Sequence, residues 1–313
     1  MKAIVIDGYG GVDRLSLRDV PRPRPADREV LIRIRASSVN PIDWKLRAGK
    51  LRLIHPIKFP AILGFDLAGE VVGRGSGAGK FKDGQRVYAR SNKPSGEAYA
   101  EFIALEESYV APCPDGMSFE EAAAIPLAGL TALQALRDHG GIDSGQQVLV
   151  NGASGGVGSY AVQIAKACGA IVTGVCGPAN VDLVRRFGAD HVIDYRSQDP
   201  LGGDRKYDII FDAVATLSFG KARSCMQPNS HFVTTVPGPG VIAAIAIGNV
   251  FSRKKASTIM VKPNGADLEY LTGLANAGKL RSEIHKVFGL AEAGAAHLES
   301  EGGRARGKIV IRI

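Results

Sequence analysis

No stretch of this 313-residue sequence approaches the roughly 18 to 20 apolar residues that a membrane-crossing helix needs. The longest candidate, Val241 to Val250, is about half that length. The apolar start from Met1 to Ile6 runs into Asp7 and Gly8, too soon for a secretion signal, and reads as a first strand. Only four cysteines are present, Cys113, Cys168, Cys176 and Cys225, each standing alone. That excludes a disulfide framework and a C-x-x-C metal clamp or redox pair, and it fits a reducing, cytoplasmic setting. The six histidines show no ligand spacing, and no serine or cysteine stands beside a readable base, so metalloenzyme and hydrolase chemistry lack support. The formal charge of +8 is spread along the chain. Only Arg253-Lys254-Lys255 clusters, without interleaved aromatics, which argues against a nucleic-acid partner.

What is present is an ordinary globular composition, long enough for two domains of roughly 150 residues. The first third is β-rich. From Val30 to Ser38, Ile32 and Ile34 alternate with Arg33 and Arg35, the period of a strand with one wet face. Further short strands are expected at Leu15 to Val20, Leu67 to Gly73, Arg86 to Ala89 and Tyr99 to Leu105, which suggests a small barrel or sandwich. Ser118 and Glu121 form a capping box and start a helix. After Gly140 and Gly141, strands at Gln147 to Asn151, Ile171 to Cys176, His191 to Ile193 and Asp208 to Phe211 alternate with helices at Val157 to Cys168 and Asn180 to Phe187. Such alternation predicts a doubly wound parallel sheet. The tail returns to helices at Ala266 to Ala277 and Ala291 to Ser300 and a closing strand from Lys308 to Ile313.

Between the strand ending at Asn151 and the following helix lies Gly152-Ala153-Ser154-Gly155-Gly156-Val157-Gly158, an A-x-G-x-x-G fingerprint with Ala153, Gly155 and Gly158 in its slots. Gly155 lets the backbone approach a pyrophosphate, Gly158 lets helix and strand pack closely, and the helix N-terminus offers free amides. A dinucleotide site is expected. The tip of the next strand, at Cys176 and Gly177, has no acid to hold a ribose 2′-hydroxyl. Asn180, Tyr195 and Arg196 are available to bond a 2′-phosphate, so NADPH is the expected cofactor.

Three stretches carry a resemblance: Ser38-Val39-Asn40-Pro41-Ile42-Asp43-Trp44-Lys45, the run from Gly64 to Val72, and Asn151 to Gly158. Together with the ending Ala305 to Ile311 they resemble the quinone oxidoreductase branch of the medium-chain dehydrogenases and reductases, along essentially the whole chain. The resemblance implies an α/β chain with a GroES-like β-barrel catalytic domain (1–122 and 262–313), a Rossmann domain (123–261) and a cleft between them. Zinc alcohol dehydrogenases of the superfamily carry a ligand cysteine where this chain has Asn40 and a His-Glu pair where it has Phe65-Asp66, so no zinc is expected. It further implies that Asn40 lies by the nicotinamide ribose and Thr131 near the nicotinamide. Ala213, Val214 and Lys308 complete the expected cofactor contacts. Lys45 stands where related reductases often have tyrosine; it orients the acceptor oxygen or donates a proton, or else is a solvated lysine. Asp43 either holds Lys45 or caps a helix beginning near Trp44.

The expected activity is hydride transfer from NADPH to a small electrophilic acceptor, a quinone, enone or enal. The alternative is a non-catalytic NADPH-binding, redox-responsive scaffold. Val241 to Ile247 is either core or the contact of a homodimer.

Overall fold

The computed structural model describes residues 1–248 and 252–313; the far end of the apolar stretch, at Val250, lies outside them. The chain divides into two compact units, Met1–Leu130 with Pro263–Ile313, and Thr131–Lys262. The first break falls inside a helix, later than the expected one after residue 122.

The first unit is built on short antiparallel strands: β1 (Lys2–Ile6), β2 (Ser16–Asp19), β3 (Glu29–Val39), β4 (Ala61–Ile62), β5 (Asp66–Arg74), β6 (Arg86–Arg90), β7 (Phe102–Glu106) and β8 (Val110–Pro112). Two late strands join it, β15 (Ile284–Gly289) and β16 (Lys308–Arg312). One sheet runs β15-β16-β3-β5-β6-β8 with β7 also on β3, and a small sheet runs β2-β1-β4. The period-two pattern of β3 works as expected, with Ile32 and Ile34 buried and Arg33 exposed. They pack with Val30, Leu67, Val71, Phe81 and Val87 in one apolar core. The expected strand at Tyr99 begins only at Phe102, because Ala100 makes a lone bridge to Ala3 and the Tyr99 N–H donates to the Leu63 carbonyl.

Helix α1 (Pro41–Arg47) follows β3 directly, and α2 (Phe119–Ala123) opens at the expected capping box. There Ser118 Oγ accepts from the Glu121 N–H at 3.2 Å, and Glu121 returns a bond to the Ser118 N–H at 2.8 Å. Helix α3 (Pro126–Gln134) carries the chain into the second unit.

That unit is a six-stranded parallel sheet of β9 (Gln147–Asn151), β10 (Ile171–Cys176), β11 (His191–Asp194), β12 (Tyr207–Asp212), β13 (Met226–Thr234) and β14 (Lys255–Thr258). Its order, β11-β10-β9-β12-β13-β14, reverses between β9 and β12. This is the Rossmann arrangement, whose ligands bind beyond the carboxyl ends of the strands at the reversal. Helix α4 (Gly156–Ala167) follows β9, and α5 (Val181–Arg186) follows β10. The sequence pattern does not reveal β13 and β14. Strand β13 begins on the polar run Gln227 to His231, and β14 buries only Ala256, so neither displays a hydrophobic run. Within the apolar stretch, Val241 and Ala244 enter the core while Ile242 and Ile245 are exposed.

Candidate functional site

The glycine-rich loop sits at the reversal of the second unit. Gly152 takes a left-handed backbone, φ 78°, which turns the chain from β9 toward α4, and its Cα faces the Val214 side chain. A methyl group at Gly158 would collide with the Gly152 carbonyl, so the close packing of α4 on the loop requires glycine there. At Gly155 the added atom would meet nothing closer than 3.4 Å, leaving the approach to the α4 amides open. Gly155 is the N-cap of α4, one residue earlier than expected, and has no side chain to occupy those amides.

Ala213 donates its N–H to the Asn151 carbonyl at 3.1 Å, which brings the Ala213-Val214 turn beside the loop. Beneath it, Asn151 Nδ2 bonds Asp212 Oδ1 and Thr216 Oγ1, both at 2.8 Å, a buried polar floor that the sequence pattern did not single out.

At the end of β10, Asn180 Nδ2 donates to Ser154 Oγ at 3.1 Å, while Asn180 Oδ1 is buried with no partner. An orphan amide oxygen beside a glycine-rich loop fits the hydroxyl-rich adenosine end of a dinucleotide. Turning the amide over presents a donor instead, with the Ser154 hydroxyl as the new partner. Tyr195 packs against Gly177 with its hydroxyl end, and both Tyr195 and Arg196 are exposed. The structure also places Asp194 level with Cys176 in the β10–β11 pair. Burial first, then this carboxylate, pushes the Cys176 thiol up to about 11, so it stays protonated. The acid absent from the tip of β10 is thus supplied by the neighbouring strand, where it accepts from the Arg196 N–H at 3.0 Å.

In the first unit, the bend from β3 into α1 buries Asn40. Its Nδ2 donates to Asp66 Oδ2 at 2.8 Å and its Oδ1 accepts from Lys308 Nζ at 2.5 Å. Asp66 is enclosed by donors: Ser38 Oγ at 2.6 Å, the Leu127 N–H at 2.7 Å and Lys308 at 3.4 Å. Burial lowers the proton affinity of Lys308, and the Asp66 and Asp43 carboxylates raise it back in part. Lys308 therefore holds Asn40 and Asp66. Thr131 is buried on α3, within the second unit.

Asp43 does not hold Lys45. Its Oδ2 accepts the Asn40 N–H at 2.7 Å, capping a helix that begins at Pro41 instead of near Trp44. Burial pushes the Asp43 carboxyl up to about 7, opposed by that N–H and reinforced by the Asp66 charge. Nearby, the buried Tyr99 hydroxyl meets His297 Nε2 at 3.3 Å, and His297 Nδ1 meets Arg47 at 3.2 Å. Arginine only donates, so Nδ1 accepts and the ring proton sits on Nε2. Burial and then the Arg47 charge push His297 down to about 3. Arg47 in turn pairs with Glu301 at 2.6 Å. None of these contacts was visible in the sequence, since their members lie far apart and belong to no motif.

Lys45 is half-buried on α1, its ammonium 5.5 Å from the Trp44 ring centroid, and Lys50 lies 4.8 Å from the same centroid. Burial, then the Lys50 charge, lowers the proton affinity of Lys45. Among the described residues no three of His, Cys, Asp and Glu converge as a metal site requires.

Residues 26–115 match the alcohol dehydrogenase GroES-like domain, and residues 187–311 the zinc-binding dehydrogenase domain. A chloroplast envelope quinone oxidoreductase homolog of Arabidopsis thaliana is 36% identical over 99% of this chain and 98% of its own. A trans-enoyl reductase of Aspergillus terreus is 32% identical over 91% of this chain and 86% of its own. The crystal structure of Escherichia coli quinone oxidoreductase complexed with NADPH superposes with a TM-score of 0.86 at 27% identity, covering all of both chains. The chain belongs to the quinone oxidoreductase branch of the medium-chain dehydrogenases and reductases. Membership of this branch and the dinucleotide loop together make it an NAD(P)H-dependent oxidoreductase.

Proposed function

We propose that the protein transfers hydride from NADPH to a quinone or an α,β-unsaturated carbonyl compound, and does so without zinc. The observation that carries this reading is the state of Asn40. Its amide nitrogen donates to Asp66 and its oxygen accepts from Lys308, so the position that holds a zinc ligand in alcohol dehydrogenases is here a fixed hydrogen-bonding corner with a second N–H to spare. A site of that kind does not activate an alcohol; it suits an acceptor that is already electrophilic. The similarity to a trans-enoyl reductase and to quinone oxidoreductases supports the same acceptor classes.

Gly152 to Gly158, with Ala213 and Val214, would hold the pyrophosphate region, and Cys176, Gly177, Asn180, Tyr195 and Arg196 the adenosine end. Asn40 and Thr131 would orient the nicotinamide portion, with Lys308 fixing Asn40. Reduced nicotinamide, when bound, supplies the hydride. Lys45, an ammonium whose proton is loosened by burial and by Lys50, donates to the acceptor oxygen as negative charge builds there.

The test is NADPH consumption with a panel of quinones and enones, with and without a chelator, alongside metal analysis. Turnover that survives chelation in zinc-free protein supports the reading. One zinc per chain with chelator-sensitive activity overturns its metal-free part, and NADPH binding without turnover on any acceptor returns the protein to a redox-responsive scaffold.

A further inference from the structure

Arg90 ends strand β6 directly across from Asp66 in the antiparallel pair with β5. Its guanidinium carbon lies 4.9 Å from the centroid of the Phe65 ring. Its Nε is buried and has no hydrogen-bond partner.

A buried guanidinium is costly unless its donors are met. Arg90 is partly buried, and Arg47, the fully buried arginine of this unit, shows the usual solution: it pairs with Glu301 at 2.6 Å and donates to the Gly10 carbonyl at 3.2 Å. Arg90 has no such pairing among the described residues. Asp66 and Asp43 act on it through their charge, yet they do not serve as its acceptors. Asp66 is already enclosed by Ser38, Asn40, Lys308 and the Leu127 N–H, and Asp43 Oδ2 by the Asn40 N–H, while Asp43 Oδ1 makes no hydrogen bond to Arg90 or any other group. The fold therefore places a cation next to the Asn40 corner and leaves its donor edge unspent.

The aromatic partner narrows what the edge is for. The ring holds the guanidinium by its charge at 4.9 Å, and a planar guanidinium offers its remaining N–H groups as a fork. The complementary ligand is planar and offers two acceptor oxygens side by side, which is the geometry of a carboxylate. Lys45 and Lys50, on and just after the helix that starts beyond Asn40, add positive charge without any carboxylate partner for Lys45 among the described residues. All of these groups favour an anionic acceptor over a neutral one.

We propose that Arg90 is an acceptor-binding residue that recognises a carboxylate, and that the substrates of this enzyme are unsaturated carbonyl compounds carrying a carboxylate group. The assignment rests on the reductase reading above and deepens it. Hydride and proton go to the double bond as before; Arg90 makes no bond to the reacting atoms and acts on affinity.

The experiment compares 4-oxopent-2-enoate with its methyl ester in NADPH oxidation by wild type, Arg90→Met and Arg90→Lys. In Arg90→Met the KM for the acid should rise about tenfold or more, while the ester and NADPH constants stay within about twofold, because only the acid loses a bidentate charge-assisted pair. Arg90→Lys should recover part of the loss, since it keeps the charge without the fork. Equal changes for acid and ester, or none for either, overturn the assignment. If wild type reduces neither compound, the enone part of the reductase reading falls by itself, and calorimetry of the saturated acid 4-oxopentanoate with the NADPH-loaded protein decides the Arg90 assignment. Binding that Arg90→Met abolishes upholds it, and absence of binding to wild type overturns it.

Discussion

Lys308 Nζ stands 2.5 Å from Asn40 Oδ1 across 268 positions of sequence, so the last strand of the chain holds the side chain expected beside the nicotinamide ribose. Lys308→Met would leave Asp66 buried with one cation fewer and free the Asn40 oxygen. Removing one partner of a buried pair typically destabilises by about 3–5 kcal/mol. A urea unfolding midpoint well below that of wild type is expected, together with reduced turnover at saturating NADPH. A variant with an unchanged midpoint would contradict the role given to Lys308.

Asp43 and His297 should pull stability in opposite directions with pH. Asp43 keeps its proton in the folded protein up to about 7, against 3.8 for an ordinary aspartate. Folding therefore takes up a proton between those values, and stability falls as pH rises through that window, by at most about 1.4 kcal/mol per unit. His297 is neutral when folded down to about 3 but charged below 6.5 when unfolded, so its contribution is lost as pH falls from 6.5 toward 3. Between roughly pH 4 and 6.5 the two slopes cancel. Asp43→Asn should expose the histidine slope and lose stability on acidification from about pH 6.5 to 4.5, and His297→Gln should gain it over the same range. Urea midpoints at several pH values check this; two variants as level as wild type would show that neither group titrates as described.

The sequence exposes the parts of this architecture whose physics is local. The alternation in β3, the capping box at Ser118 and the glycine loop each act within a few residues, so their patterns predict their places. Gly158 is legible for the same reason, whereas Asn40 and Lys45 stand out only through the family resemblance. The hydrogen-bonding roles of Asp66, Tyr99 and His297, and that proposed for Arg90, are not, because each gains its meaning from a partner on a distant strand or helix. Asp194 is not legible from the tip of β10, because parallel pairing sets a second strand's acid beside it.

That acid bears on cofactor choice. If Arg196 and Tyr195 hold a 2′-phosphate, Arg196→Ala should raise the KM for NADPH more than that for NADH, by about 1–2 kcal/mol. Asp194→Asn should shift preference further toward NADPH by removing a nearby negative charge. Both are read from paired Michaelis constants. Equal use of the two cofactors by wild type would contradict the NADPH assignment.

The proposed role of Lys45 is in the chemical step. Its ammonium is half-buried, lacks a carboxylate partner among the described residues and has its proton affinity lowered by burial and by Lys50. Those are the properties of a group ready to give up a proton to an oxygen that becomes negative during reduction. Lys45→Met should lower turnover about 10²-fold while leaving NADPH binding nearly unchanged, since the loss falls on the reaction and not on the cofactor. The loss should be larger for an enone than for a quinone, because an enolate concentrates its charge on one oxygen whereas a hydroquinone anion spreads it over the ring. Lys50→Met should leave Lys45 in place and raise its proton affinity, which moves the alkaline limb of the pH–rate profile upward. Steady-state rates on one enone and one quinone, with a fluorescence titration of NADPH, separate the cases. Unchanged turnover on both acceptors in Lys45→Met would return this lysine to the solvated surface.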